Sequence, residues 1–196
     1  MMEKLKKLKI EYYIFKQKRM LNYYTIKPFD SANGTGIGTS IFLTGCRFHC
    51  QGCFNSVAWD ENAGNPVTDE LIDKFIGYLK NPHVSHSAIL GGEPLLLLDP
   101  ETLEHFLRKV KTEVPEKPMW IWTGYVLEDL KNSKDYLDNL RLRLLTDYAD
   151  YVVDGKYVES LASKRIIFRG SKNQIIYKKN ELGLFEPDQE LNNFRL

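Results

Sequence analysis

Along the chain, short apolar runs alternate with longer stretches of helical period. Ser40-Ile-Phe-Leu-Thr44 predicts a buried strand. Thr68 stands where a hydroxyl would cap a helix whose apolar stripe is Leu71, Ile72, Phe75, Ile76 and Leu79. Ser87-Ala-Ile-Leu90 predicts the next strand, stopped by Gly91-Gly92. Asp99-Pro100 then starts a second helix, with Leu103, Phe106, Leu107 and Val110 facing inward. Met119-Trp-Ile-Trp122 is a third strand ending at Thr123-Gly124, and a leucine-rich helical stretch follows to about Leu145. Tyr151-Val-Val153 runs into Asp154-Gly155, and Arg165-Ile-Ile-Phe168 and Gln174-Ile-Ile-Tyr177 are further strand candidates. Strand, helix, strand in this order implies parallel strands joined by crossover helices, an α/β fold. Gly34-Thr-Gly-Ile-Gly38 lacks the Gly-Lys-Ser/Thr ending of a phosphate loop and precedes its strand, so it reads as a turn.

The motif-like residues share one position in this pattern. Cysteines follow the first predicted strand, Gly91-Gly92-Glu93-Pro94 the second, Thr123-Gly124 the third and Asp154-Gly155-Lys156 the fourth. Parallel α/β sheets bind ligands beyond the carboxyl ends of their strands. Four separate segments are therefore expected on one edge, forming one site.

Charge narrows the setting. The 196 residues suit one domain, and a net charge of +1 gives no global attraction to nucleic acid or an anionic membrane. Residues 1–20 carry seven basic side chains against Glu3 and Glu11, so the rest of the chain is net acidic. Leu5, Leu8, Tyr12 and Phe15 fall near helical spacing there, yet Met20 opens a self-contained domain start. The expected division is a basic extension over 1–19, one domain over 20–180 and a polar tail over 181–196. No apolar run reaches the roughly 18 residues that span a bilayer, and the basic start lacks the apolar stretch of an export signal. With unpaired thiols, that points to a reducing cytoplasm.

The thiols carry the chemistry. Cys46, Cys50 and Cys53 lie in one loop and the chain has no other cysteine, which excludes a disulfide framework. Thiolates suit zinc, copper(I) or iron–sulfur clusters. Structural zinc prefers four closed protein ligands, and His83, His86 or His105 would have to complete such a site. Three clustered thiolates also suit a cubane held at three corners, whose fourth iron stays open to something that is not protein. A plant-type ferredoxin pattern fails for lack of a fourth cysteine. His49, adjacent to Cys50, is poorly placed to bind the same group.

Cys46-x-x-x-Cys50-x-x-Cys53 followed by Gly91-Gly92-Glu93-Pro94 resembles the radical S-adenosylmethionine superfamily. With Trp120-Ile-Trp-Thr-Gly-Tyr125, Val153-Asp-Gly-Lys-Tyr157 and Arg169-Gly-Ser-Lys-Asn-Gln174, the chain from about Asn22 to Tyr177 is similar to the activating proteins of anaerobic ribonucleoside-triphosphate reductases. The resemblance implies a partial, TIM-like β/α barrel of parallel strands. Cys46, Cys50 and Cys53 would hold a 4Fe–4S cluster, whose open iron is chelated by S-adenosylmethionine. Gly52, Cys53, Phe54, Gly91, Gly92, Glu93, Thr123 and Gly124 would bind the cofactor. Reductive cleavage would give a 5′-deoxyadenosyl radical that takes hydrogen from a glycine of the reductase large subunit. Asp154, Lys156 and Arg169 would help seat that partner, and an electron donor such as reduced flavodoxin is implied; a homodimer is compatible. An activase for pyruvate formate-lyase, or a non-enzymatic zinc or iron–sulfur module, are the alternatives. Many members carry an aromatic residue before the third cysteine; here Gly52 stands there and Phe54 follows. If Gly91 and Gly92 face the methionine moiety, Gly92→Val should weaken its binding and spare the cluster.

Overall fold

The computed structural model describes residues 19–194; the basic segment around Leu5, Leu8, Tyr12 and Phe15 lies outside the described residues. One mixed sheet contains β1 (Asn22–Asp30), β2 (Gly38–Leu43), β3 (Asn65–Pro66), β4 (His86–Gly91), β5 (Met119–Trp122), β6 (Tyr151–Asp154), β7 (Ile175–Lys179) and β8 (Phe185–Pro187), in the order β3-β1-β2-β4-β5-β6-β7-β8. The helices are α1 (Asp69–Leu79), α2 (Pro100–Glu113), α3 (Leu127–Asn132), α4 (Tyr136–Tyr148) and α5 (Gln189–Asn193).

Only the centre of the sheet is parallel: β2 pairs with β4, β4 with β5 and β5 with β6. The flanks correct the expectation of parallel strands throughout, because β1, β3, β7 and β8 join antiparallel. A parallel neighbour needs a crossover of a dozen or more residues. The Asp30–Gly38 connection is too short for one, and Asn180 closes a tight turn to β8 by donating to Leu184 O at 2.8 Å. The region expected to be a polar tail thus contributes β8 and α5.

Two further differences have local causes. β1 is obscured in sequence by Pro28, which cannot donate to a ladder, and by two register shifts that break its alternation. Arg165–Phe168 forms bends and turns instead of a strand. The edge of β6 it would need is taken by β7, and Phe168 adopts a left-handed φ of 56°. The leucine-rich stretch after β5 splits into α3 and α4, where Asp135 caps the second helix by accepting from Leu137 N at 2.8 Å and Asp138 N at 3.2 Å. Thr68 and Asp99 cap α1 and α2 as their positions predict.

Strand alternation sorts the interior into two layers. Leu43, Ile89, Ile121 and Val152 pack with the inward faces of α1 to α4 in the main core. Phe42, Leu90, Trp120, Val153 and Ile176 point the other way, into a smaller cluster that includes Leu191 of α5. Trp120, fully buried, stacks on Tyr151 at 4.2 Å between centroids. The long helices therefore pack on one face, and the opposite face is where the site forms.

The glycine turn before β2 wraps a buried imidazole. A Cβ at Gly34 or Gly38 would overlap the His86 ring. His86 Nε2 donates to Asn33 O at 2.6 Å, and burial holds the imidazole below its usual pKa. The folded state keeps His86 neutral, while an unfolded chain takes up a proton near pH 6.5. Stability is therefore expected to be highest above about pH 6.5 and to fall as the pH drops through that value. Urea midpoints between pH 7.5 and 5.5 check this; His86→Gln should flatten the profile.

Candidate functional site

The cysteine loop leaves the carboxyl end of β2 and rests on the segment after it. Gly45 N donates to Ala58 O at 2.8 Å and Cys46 N to Trp59 O at 3.0 Å. Cys53 N donates to Cys50 O at 3.1 Å, closing a four-residue turn whose third residue, Gly52, has φ +72°. A turn with positive φ at that position favours glycine, which accounts for the missing aromatic residue. A Cβ there would also press on the Glu159 carboxylate. His49 is exposed, in a left-handed conformation, and stacks on Trp59 at 4.6 Å. Glu61 accepts from Arg47 Nε at 2.6 Å and pairs with Arg19; these cations hold its carboxyl below the usual range.

The turn after β4 locks onto this loop. Gly92 N donates to Leu43 O at 2.8 Å and Glu93 N to Gly45 O at 2.7 Å. A Cβ at Gly92 would overlap the carbonyl oxygens of Gly45 and Ala58, and one at Gly91 the Leu43 backbone. Gly92 is thus bare because the cysteine loop packs against it, which reverses the expectation that Gly92→Val would spare the cluster. Glu93 is 3% exposed and its carboxylate is fully engaged. It accepts from Leu95 N at 2.9 Å, Thr123 Oγ1 at 2.8 Å and Gly124 N at 2.6 Å. Burial pushes the carboxyl up to about 7, against the pull of those donors and of Arg141. Of the two roles open to Glu93, accepting from a ligand amine or fixing the turn, these bonds supply the second. They tie the end of β4 to the end of β5.

A cavity of about 380 Å³ opens over this edge. Cys46, Cys50, Cys53, Phe54, Gly91, Gly92, Glu93, Thr123, Gly124, Lys156 and Arg169 all line it. Gly52 and Asp154 do not. Asp154 is 2% exposed and accepts from Leu127 N at 2.8 Å and Ile175 N at 3.3 Å. It is committed to the start of α3 and the start of β7. Lys156 is exposed, its Nζ 4.6 Å from the centroid of Phe48. Arg169 is half-buried and donates to Gln174 O at 3.1 Å, Asn192 Oδ1 at 2.9 Å and Asn192 O at 3.0 Å. The run it opens is therefore pinned, not flexible.

Several cavity residues are not among the site residues expected from sequence. Phe48, Asn55, Trp59, Trp122 and Phe168 line the wall, and Trp122 Nε1 donates to Phe168 O at 2.8 Å. For Phe48, Asn55 and Trp59, closeness to the cysteines in sequence was the available signal; Trp122 and Phe168 are brought to the wall by the fold. Gln174 links the last two loops, accepting from Gly170 N and donating to Gly155 O.

The histidines offered for zinc do not reach the cysteines. His86 pairs in register with Gly38 at the start of β2, whereas the cysteine loop follows its end. His105 bonds Asp69 at 2.7 Å, and His83 sits in the turn before β4. Among the described residues no three His, Cys, Asp or Glu side chains gather around the position of a single metal ion. A cubane differs, since each thiolate takes a separate iron and the sulfurs stand apart. Three half-buried cysteines on one cavity wall fit that group. Burial pushes the Cys46 thiol up; metal coordination would deprotonate it.

Comparison with known proteins agrees. Residues 32–177 match the family model described as a 4Fe-4S single cluster domain, which places the chain in an iron–sulfur family. The chain is 35% identical over 160 residues to the anaerobic ribonucleoside-triphosphate reductase-activating protein of Haemophilus influenzae, covering 81% of this chain and 98% of that one. The protein of the same name from Enterobacteria phage T4 is 33% identical over 168 residues, covering 86% and 100%. That from Escherichia coli K12 is 32% identical over 159 residues, covering 80% and 98%. The chain belongs to this family of reductase-activating proteins. No helix among the described residues is long and apolar enough to cross a membrane.

Proposed function

We propose that the chain activates an anaerobic ribonucleoside-triphosphate reductase by generating a glycyl radical on that enzyme. The observation that carries this reading is convergence: the thiolate loop, the glycine turn and Lys156 all line one cavity beyond the parallel strands. Cys46, Cys50 and Cys53 would hold a 4Fe–4S cluster. Bound there with S-adenosylmethionine and supplied with one electron by a donor such as reduced flavodoxin, that group would supply reductive cleavage to a 5′-deoxyadenosyl radical able to take hydrogen from a glycine Cα.

The protein's own part is orientation and shelter. Gly91 and Gly92 bring backbone to the wall, and Glu93 sets Thr123 and Gly124 in place. Phe54 is 82% exposed at the rim, where a flat ring can cover part of a bound nucleoside. A helix layer on one face of a parallel centre supports a partial barrel whose open side admits a foreign loop. Of the three residues first assigned to the partner, Lys156 keeps that role. Asp154 is buried, and Arg169 is spent on internal bonds.

Reconstituted protein, S-adenosylmethionine, reductant and the reductase large subunit should give a glycyl-radical signal by electron paramagnetic resonance. Substituting pyruvate formate-lyase should give none. Lys156→Ala should cleave S-adenosylmethionine as wild type does yet form about tenfold less glycyl radical, the effect of losing one charge-assisted hydrogen bond. Equal loss of both activities would move Lys156 into the cofactor site.

A further inference from the structure

Two buried donors beside the cysteine loop have no partner. Asn55 is 9% exposed, and its Nδ2 is buried with no hydrogen bond among the described residues. It stands at the start of the short turn Ser56–Ala58, where an asparagine side chain ordinarily caps, and it does not cap. Trp59 Nε1, four residues on, is likewise buried and unpaired. Both residues line the cavity with Cys46, Cys50 and Cys53. Their own segment also carries the loop, through the Gly45–Ala58 and Cys46–Trp59 backbone bonds. A buried N–H left unmade costs about 1–3 kcal/mol, and such a group in a folded chain calls for an explanation. Two of them on one five-residue segment, against one thiolate loop, have a common one.

We infer that Asn55 Nδ2 and Trp59 Nε1 donate hydrogen bonds to sulfide of the group held by the three cysteines and so raise its reduction potential. This rests on the iron–sulfur reading above. Reduction adds negative charge to the cluster, and a donor on sulfur stabilises that charge. The residues are positioning and tuning groups; they take no part in bond cleavage.

The test is a redox titration of anaerobically reconstituted full-length protein without S-adenosylmethionine, followed by electron paramagnetic resonance, with iron content assayed in parallel. Trp59→Phe removes the indole N–H and keeps a ring to stack on His49. It should retain iron and lower the equilibrium constant for one-electron reduction about tenfold, a potential more negative by about 59 mV. Asn55→Leu should act in the same direction, and Asn55→Asp, which puts an anion in place of a donor, should shift it further. An unchanged potential in Trp59→Phe with full iron overturns the inference and leaves the activase reading standing. If the Asn55 variants lose iron, Trp59→Phe alone decides. Wild type that takes up no cluster would overturn both readings.

Discussion

Replacing any one of Cys46, Cys50 or Cys53 by alanine is expected to leave protein that folds but does not hold iron. The three thiolates are on one loop, and no histidine proposed as a substitute reaches them. Two thiolates cannot retain a cubane with a single open corner. Losing an outer partner of a metal ligand typically costs tenfold to a hundredfold; losing a ligand should lower S-adenosylmethionine cleavage by more than about a hundredfold. The loop's scaffold is backbone bonding from Gly45 and Cys46 to the Ala58–Trp59 segment, so thermal unfolding of the iron-free protein should barely move. Iron assay, cleavage assay and calorimetry on the three variants check this. A variant keeping full iron and cleavage would remove that cysteine from the assignment.

Gly92→Val should be nearly as severe for a different reason. Its side chain must enter space held by the Gly45 and Ala58 carbonyls. The bonds at stake are Gly45 N to Ala58 O and Glu93 N to Gly45 O. Overpacking of about 1–3 kcal/mol and two lost hydrogen bonds of about 1 kcal/mol each give roughly 3–5 kcal/mol. At about 2–4 °C per kcal/mol for a chain of this size, the iron-free variant should melt on the order of 10 °C lower. Iron retention should fall with it, since the loop cannot close. Normal iron and melting with weakened S-adenosylmethionine binding would instead mean that Gly92 faces the ligand.

The contrast between these variants shows what could be read without coordinates. The central strands, the caps at Thr68 and Asp99 and the convergence of four segments followed from periodicity and punctuation, which are local. What a glycine lacks a side chain for is not local. Gly92 is packed by a carbonyl 34 residues upstream at Ala58 and another at Gly45, and sequence gives only that something comes close. Asp154 reads as a polar residue in a turn, yet two amides from distant segments bury it. Arg165–Phe168 has the composition of a strand, but edge occupancy decides, and β7 had taken the edge. Asn55 and Trp59 lie in plain view after the third cysteine. Nothing in their order shows that their donors are left unpaired.

Arg169 on the cavity wall is held by Asn192 in α5, which also accepts from Ile176 N at 3.0 Å through the same side-chain oxygen. On a ribosome these parts emerge in a fixed order. The thiolate loop is made first, and Asn192, the residue that braces the far wall, follows more than a hundred residues later. A nascent chain therefore presents its three thiols over that whole interval before the wall that shelters them can be completed.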